Sequence, residues 1–254
     1  MLSKVVAGTP GKKFVVFHGV GDSAAGYSQM IEEFGDRYEL HIYDHLGHGN
    51  SPRMNDDELQ DPFGTMKAAL TKELQSFGEP VILYGHSMGG ALASEIIIKH
   101  PELVSKLILE DPAWWDLTEQ EQIDSGAARA EQHRVDFAET ERSLTQRSRE
   151  GWDAVETAGW LQGLGQAQPE LLHTGVVTSP RPWRTIVTDL HATGVPTLVL
   201  TGNMLGTVII GRRTSDEINE MPGEHMRAEV ITGATHCVRR TKPEGTYAAI
   251  EEFL

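Results

Sequence analysis

The chain has 254 residues, a hydrophobic fraction of 39% and a formal net charge of −15, which together indicate a folded, acidic globular protein. The negative charge argues against a nucleic-acid surface, because phosphate binding requires clustered lysine and arginine. The first residues lack the apolar core of a signal peptide, and no apolar run is long enough to span a membrane. We therefore expect a cytoplasmic protein that binds neither nucleic acid nor membrane.

Short apolar, β-rich segments recur along the chain with segments of helical length between them. This alternation is typical of a parallel sheet with helices on both faces. We predict an α/β fold with a mostly parallel sheet of about six strands. The predicted strands are Phe14–Phe17, Glu39–Tyr43, Val81–Tyr84, Leu107–Glu110, Thr197–Thr201 and Glu229–Thr232.

Four segments of this alternating part show the spacing of helices with one apolar face. Met88–Lys99 continues directly from a glycine-rich turn, and Thr241–Leu254 is predicted to be the closing helix, with Pro243 in its first turn. The other two predicted helices are Tyr27–Phe34 and Phe63–Ser76.

From Ala113 to about Arg184 the alternation stops, and a long polar stretch of helical character, Thr118–Arg149, takes its place. We predict a helical cap over residues 113–185, inserted into a core formed by residues 1–112 and 186–254. All five tryptophans lie in this span. Either they attach the cap to the core, or some of them line an apolar substrate pocket: Trp114, Trp115, Trp152, Trp160 and Trp183.

A candidate nucleophile lies in Gly85-His86-Ser87-Met88-Gly89, which follows the predicted strand Val81–Tyr84 and opens a helix. In this context the pattern predicts a sharp strand-to-helix turn that projects the Ser87 hydroxyl above the sheet. Small neighbours are needed because the turn is crowded. The amide of Met88, at the start of the helix, is the natural first donor for an oxyanion.

A second oxyanion donor is expected from the loop His18–Ser23, which follows the strand Phe14–Phe17. Val20 would contribute its backbone amide there. His18 is interpreted as a residue that holds the loop rather than one that transfers protons.

Three segments in order, His18–Ser23, Asp44–Ser51 and Gly85–Gly90, resemble motifs of the α/β-hydrolase superfamily. The resemblance implies that the chain has the fold of that family, with the cap inserted at about residues 112–185. Leu46 departs from the pattern, because an arginine is common at that point. Only about 13 residues precede the first predicted strand, so the leading pair of strands of many relatives is expected to be missing or shortened.

A serine hydroxyl needs a base at neutral pH, and histidine is the suitable residue. Among 11 histidines, His236 stands in Gly233-Ala234-Thr235-His236 after the last predicted strand, which resembles the catalytic histidine loop of the family. Cys237 beside it is interpreted as a small buried residue, and as the single cysteine it excludes an internal disulfide. No metal-ligand motif is present in the sequence, and we expect no cofactor.

The acid is not where relatives usually carry it, because Thr201–Thr207 contains no carboxylate. The end of the strand Leu107–Glu110 offers Glu110 and Asp111 beside the expected active centre. Some α/β hydrolases resemble this arrangement, and the resemblance, counted from Pro101-Glu102, favours Asp111. Glu110, a serine–histidine dyad and Asp44 remain the alternatives at this point.

The expected reaction is hydrolysis of a carboxylic ester or lactone through an acyl-enzyme intermediate, with a small apolar molecule as substrate. A serine at the turn counts against haloalkane dehalogenase and epoxide hydrolase, whose relatives use a carboxylate nucleophile there. Thioester, carbon–carbon bond or amide hydrolysis and acyl transfer remain alternatives. A ligand-binding or signalling protein with little turnover, and a cofactor-free peroxidase-like activity, are rival functions.

Overall fold

Seven strands form one sheet in the computed structural model, which describes residues 1–115, 118–175 and 178–254. The strands are β1 (Lys4–Gly8), β2 (Lys13–Phe17), β3 (Glu39–Tyr43), β4 (Val81–His86), β5 (Val104–Glu110), β6 (Thr197–Gly202) and β7 (Met226–Ile231). Their order in the sheet is β1-β3-β2-β4-β5-β6-β7. The pairs from β3 to β7 are all parallel, and β1 pairs antiparallel with β3. The predicted fold class and its six parallel strands are confirmed.

The strand β1 was not predicted from the sequence. It is the one strand that precedes β2, where a leading pair was expected to be missing or shortened. Most of its residues are exposed, and Val5 and Val6 are among the exposed hydrophobic side chains. An exposed edge strand lacks the run of apolar residues that predicts a buried strand. The register places Lys4 opposite Tyr43, and Lys4 Nζ donates a hydrogen bond to the Tyr43 hydroxyl at 3.0 Å.

Helices lie between the strands in the described ranges. They are α1 (Ser28–Phe34), α2 (Pro62–Gln75), α3 (Met88–Lys99), α4 (Glu119–Ala138), α5 (Thr140–Arg149), α6 (Ala154–Gln166), α7 (Pro169–Thr174), α8 (Trp183–Ala192), α9 (Gly211–Asn219), α10 (Val238–Thr241) and α11 (Pro243–Phe253). None of the helices described is both long and apolar enough to cross a membrane.

Two apolar layers flank the sheet, because successive side chains of a strand point to opposite faces. In β2, Val15 and Phe17 face the layer that α2, α3 and α8 cover. Phe14 and Val16 face the layer that α1 and α11 cover. Burying each side chain of this size contributes about 1.5–3 kcal/mol, so the two layers fix the register of the strands.

The segment between β5 and β6 contains α4 to α8. The helix α4 packs against α6 and α7, whereas α8 packs on α3 as part of the main core. The polar stretch Thr118–Arg149 is divided into two helices at Glu139, and the side chain of Thr118 caps the first of them. The boundaries of a separate cap at residues 113 and 185 stay a prediction.

Candidate active site

Ser87 forms the turn between β4 and α3. Its backbone has φ 52° and ψ −117°, a conformation that costs free energy for a residue with a side chain. The chain comes very close on both sides: a Cβ on Gly89 would lie 2.3 Å from the carbonyl oxygen of Phe17, and one on Gly85 would lie 2.6 Å from that of Gly89. Glycine is therefore required at both positions, as the sequence motif indicated.

Asp111 follows β5 directly and also has a positive φ, 37°. Its Oδ2 accepts a hydrogen bond from Nδ1 of His236 at 2.6 Å and another from the amide of Ile209 at 2.9 Å. Its Oδ1 accepts from the Thr201 hydroxyl at 2.7 Å and from the amide of Ile210 at 3.2 Å. A carboxylate that binds Nδ1–H selects the tautomer whose Nε2 is free to accept a proton.

Glu110 points to the opposite side of the sheet. One of its oxygens accepts a very short hydrogen bond from the Tyr84 hydroxyl, and the other accepts from the backbone amide of Arg239 at 2.8 Å. Burial raises the pKa of Glu110, against the lowering effect of Arg239. The structure thus brings Asp111 to His236 and separates Glu110 from it.

His86 packs against the loop of His236. The two ring centroids lie 4.8 Å apart, and Nε2 of His86 donates to the backbone carbonyl of His236 at 3.3 Å. Burial, together with nearby His236, lowers the pKa of His86 well below its usual value, so the ring is neutral at pH 7. A Cβ on Gly19 would lie 2.9 Å from Nδ1 of His86, so His86 fills the space between two loops of the site.

The loop His18–Ser23 runs past the start of α3. Val20 lies in the cavity wall beside Ser87, and Met88 is the first residue of α3. Within the described part of the chain, the amides of Val20 and Met88 donate no hydrogen bond. Two amides free to donate are what a developing oxyanion needs.

His18 holds this loop through both ring nitrogens. Its Nε2 accepts from the amide of His45 at 3.1 Å, so the proton is on Nδ1, which donates to the carbonyl of Gly19 at 2.7 Å. In return, Nε2 of His45 donates to the carbonyl of His18 at 3.0 Å. Burial lowers the pKa of His45 to about 3, so it stays neutral.

The side chain of Asp44 accepts hydrogen bonds from the backbone of its own loop and of a neighbouring one. Its two carboxylate oxygens accept from the amides of Ala24 and Asn50 at 2.8 and 2.9 Å. These contacts tie the segment Asp44–Ser51 to the end of the loop His18–Ser23. They also occupy the carboxylate, which leaves Asp111 as the carboxylate bound to His236.

A cavity of about 410 Å³ opens beside Ser87. The core side of its wall includes His236, and the side formed by α4 and α6 includes His133 and Trp160. The loop from Gly206 to Ile209 closes a third side. Ser87 and His236 therefore face one cavity that is large enough to hold a small molecule.

Two of the five tryptophans predicted to line a pocket, Trp115 and Trp160, lie in the wall of this cavity. Trp114 is buried in the main core. Trp152 packs against Trp160 with 5.4 Å between ring centroids, and Trp183 packs against the main core at the start of α8. Trp115 and Trp160 thus face the cavity, whereas Trp114 and Trp183 pack on the core, and a role of any tryptophan in substrate binding stays a prediction.

Two consecutive buried arginines, absent from the sequence analysis, join the histidine loop to α6. Nη1 of Arg239 lies 2.5 Å from Oε2 of Glu156, and Nε of Arg240 lies 3.2 Å from the same oxygen. Nη2 of Arg240 also binds Oδ2 of Asp22 at 2.7 Å. The sequence signal was an Arg-Arg pair just after His236 in an otherwise acidic chain, and its partners were not readable from it.

Cys237 is a free thiol between His236 and these arginines. Burial raises its pKa to about 11, so it is protonated at neutral pH and is a poor nucleophile. Over the described residues, no three histidine, cysteine, aspartate or glutamate side chains are grouped so that they could hold a metal ion.

The model of the Alpha/beta hydrolase family matches residues 14–249, which is nearly the whole chain. The protein belongs to the alpha/beta hydrolase family. Ser87, Asp111 and His236 follow one another along this alpha/beta hydrolase in the order in which the triad residues of that fold occur.

Curated relatives match this alpha/beta hydrolase over part of its length. The (lyso)-N-acylphosphatidylethanolamine lipase of Bos taurus is 36% identical over 103 residues, which are 39% of this chain and 29% of that protein. The pimeloyl-[acyl-carrier protein] methyl ester esterase of Hamiltonella defensa is 34% identical over 95 residues, which are 37% of this chain and 34% of that protein. The match therefore spans about a third of these relatives.

Solved structures resemble this alpha/beta hydrolase over its whole length. MenH from S. aureus has a TM-score of 0.72 at 21% identity, with 99% of this chain and 97% of that chain covered. A thermophilic esterase from Thermogutta terrifontis has a TM-score of 0.73 at 22% identity, with coverage of 99% and 92%. An epoxide hydrolase of Bacillus megaterium has a TM-score of 0.71 at 15% identity, with coverage of 99% and 96%. These likenesses establish the fold and leave the substrate open.

Proposed function

We propose that this alpha/beta hydrolase is a serine hydrolase that cleaves a carboxylic ester or lactone of a small, mainly apolar substrate. Ser87 is the nucleophile, His236 the base and Asp111 the acid. The observation that carries the proposal is the 2.6 Å hydrogen bond from His236 Nδ1 to Asp111 Oδ2, beside the strained turn of Ser87.

In the first half of the reaction, Oγ of Ser87 attacks the substrate carbonyl while Nε2 of His236 takes its proton. The amides of Val20 and Met88 stabilise the oxyanion that forms. Asp111 stabilises the imidazolium and keeps its orientation. The tetrahedral intermediate then collapses, and His236 returns the proton to the leaving alkoxide.

In the second half, a water molecule attacks the acyl group on Ser87 as His236 removes its proton. The bond between the acyl carbon and Oγ breaks, the carboxylic acid is released, and the proton returns to Ser87. A lactone follows the same steps, except that the leaving hydroxyl remains attached to the acyl group.

Two relatives that match part of the chain, a lipase and a methyl ester esterase, support ester cleavage. Trp115, Trp160 and Ile209 in the cavity wall agree with a largely apolar substrate. Thioester, amide or carbon–carbon bond hydrolysis would use the same nucleophile, so one thioester, one amide and one β-diketone should be assayed beside the esters and lactones.

The test combines active-site labelling with turnover. We expect a fluorophosphonate probe to label Ser87, with no labelling of Ser87→Ala and greatly reduced labelling of His236→Ala. A short p-nitrophenyl ester should be turned over many times per active site by the native protein. A single burst of p-nitrophenol with a tightly retained product would instead identify a ligand-binding protein, and absence of labelling would contradict the proposal.

A screen of esters and lactones of graded acyl size would define the substrate class. We expect the highest kcat/KM for acyl groups that fit a cavity of about 410 Å³. Peracid formation from acetate and peroxide is the parallel assay for the peroxidase-like alternative, and it should be much slower than ester hydrolysis.

A further inference from the structure

The cavity beside Ser87 has an unbalanced positive charge, although the chain as a whole carries a net charge of −15. Among the described residues of the cavity wall, the acidic and basic side chains other than histidine and cysteine are those of Asp22, Arg129 and Arg240. Asp22 and Arg240 form an ion pair at 2.7 Å, so their charges compensate. Arg129, on α4, supplies the remaining charge.

Arg129 contacts neutral groups in the described part of the structure. Its Nη2 donates to the Ser125 hydroxyl at 3.3 Å, and its Nη1 donates to the carbonyl of Gly175 at 3.5 Å. Its guanidinium lies 5.7 Å from the ring centre of Trp115. No carboxylate of a described residue lies within ion-pair distance of Arg129, so most of its five N–H donors have no strong acceptor.

Partial burial makes this unpaired charge costly. Burial lowers the pKa of Arg129, and no carboxylate of the residues that the structure describes offsets that effect. The nearby His133 adds no second positive charge, because burial and Arg129 lower its pKa to about 4 and leave it neutral. A cation that is half removed from water and lacks an anion favours binding of an anionic ligand group.

The position of α4 places Arg129 close to the reaction centre. Ala130, the next residue, belongs to an apolar cluster against which Val20 of the oxyanion loop packs. One turn later, His133 lies over Gly21 of the same loop, where a Cβ would come within 2.6 Å of its ring. Residues four apart share one face of a helix, so Arg129 and His133 both belong to the face of α4 that covers the loop.

We propose that Arg129 binds a carboxylate of the substrate, and that the preferred substrates are esters with a carboxylate at the end remote from the scissile bond. This inference rests on the proposed esterase function and names the substrate class of the same site. The planar guanidinium suits a carboxylate because it can donate two parallel hydrogen bonds to it. Trp115 and Trp160 supply apolar wall for the methylene groups between the two ends.

The test compares esters that differ only in the distal charge. The substrates are mono-p-nitrophenyl adipate and mono-p-nitrophenyl suberate, each measured beside its methyl ester at the distal carboxyl group. We expect the native protein to prefer the free acid in kcat/KM by about ten- to hundredfold for at least one chain length, the range typical of hydrogen bonds to charged groups. Ionic strength is held constant between the two members of each pair.

Variants on α4 assign the preference to one side chain. In Arg129→Gln the ratio of kcat/KM for acid over methyl ester should fall to about one, and Arg129→Lys should retain part of it. The ratio is the readout because a general loss of active enzyme lowers both rates together. The control is Arg134→Gln on the same helix, where the arginine is exposed and pairs with Glu131, and its ratio should equal that of the native protein.

Binding measured without turnover separates this inference from the proposed function. Adipate should bind the native protein, by calorimetry, at least tenfold more tightly than it binds Arg129→Gln. If neither ester is hydrolysed but this binding difference is found, the carboxylate site stands and the esterase function falls. If both esters of a pair are hydrolysed equally well, or if Arg129→Gln keeps the native ratio, the carboxylate site is overturned and the esterase function remains.

Discussion

Asp111 and Glu110 follow each other in the chain, yet they belong to two different regions of the interior. On the catalytic side, Asp111 binds His236, whose side chain is 30% exposed toward the cavity. On the arginine side, Glu110 binds Tyr84 and Arg239, and the side chain of Arg239 is only 2% exposed.

Burial does not distinguish the two carboxylates, since Asp111 is 0% exposed and Glu110 is 1% exposed. The partners distinguish them. Asp111 meets a histidine that has access to the cavity and can exchange protons with a substrate, whereas Glu110 meets groups that are fully enclosed. The face of the sheet that a carboxylate at this edge reaches therefore decides whether it meets the histidine of the cavity or the buried arginines.

The largest expected effect is that of Asp111→Asn. Loss of the carboxylate removes the partner that selects the tautomer of His236, so kcat should fall by about 10³–10⁴-fold while the circular dichroism spectrum stays that of a folded protein. Ester hydrolysis under saturating substrate is the measurement. Glu110→Gln is the matched control and should lose less than tenfold, and a reversed order of the two variants would assign the acid to Glu110.

Glu156→Ala tests the arginine side and should give the largest loss of stability. The change leaves Arg239 and Arg240 without a shared anion in a buried site, which costs about 3–5 kcal/mol. The melting temperature should drop by about 10 °C or more. Glu131→Ala removes an exposed ion pair with Arg134 and should change the melting temperature by less than 2 °C, about what a surface pair contributes.

Glu110→Ala should mainly affect stability, by a smaller amount. It leaves the Tyr84 hydroxyl and the amide of Arg239 without an acceptor, at a cost of about 2–3 kcal/mol in the free energy of unfolding. A double-mutant cycle with Tyr84→Phe measures the coupling. Tyr84→Phe should cost less in the Glu110→Ala background than in the native protein, and strictly additive costs would contradict the contact.

His45 and His236 differ in their partners. Asp111 binds the ring of His236, whereas among the described residues the ring of His45 binds a backbone carbonyl and no carboxylate. Burial and nearby His48 lower the pKa of His45 to about 3, against 6.5 in an unfolded chain. Above pH 6.5 both states are neutral and stability is full. Below it the unfolded chain binds a proton that the folded protein rejects, so stability falls by up to about 2 kcal/mol between pH 6.5 and pH 5.

Melting temperatures of the native protein and of His45→Gln at pH 6.5 and pH 5 check this prediction. The glutamine cannot titrate, whereas its side-chain amide can still donate to the carbonyl of His18. The decrease on acidification should be smaller in the variant. Equal decreases would mean that His45 is not protonated on unfolding in this range.

Local patterns in the sequence predicted much of the candidate site. Ser87 and the loop of His236 follow strands and carry glycines at crowded turns, so their places depend on residues that lie next to them in the chain. The choice between Glu110 and Asp111 stayed open, because alternation along a strand shows that two neighbours face different ways and does not say which of them faces the histidine.

Features that depend on packing between distant segments could not be predicted. The contact of Glu156 with Arg239 joins residues 83 positions apart, and neither residue carries a local signal of it. Likewise, whether Trp114 or Trp115 reaches the cavity depends on how α4 and α6 lie on the core. The sequence showed that all five tryptophans lie in residues 113–185. Only the folded structure shows which of them face the cavity and which pack on the core.

The ion pairs between Glu156 and the two arginines also bear on how molecules enter and leave. If α6 moved outward, the carboxylate of Glu156 would leave the two buried guanidinium groups of Arg239 and Arg240, at a large cost in free energy. We therefore expect α6 to keep its place during turnover. The loop Gly206–Ile209 forms another part of the cavity wall, and Leu205 just before it is 96% exposed. The amide of Ile209 donates to Asp111, so a movement of this loop would also disturb the carboxylate that binds His236.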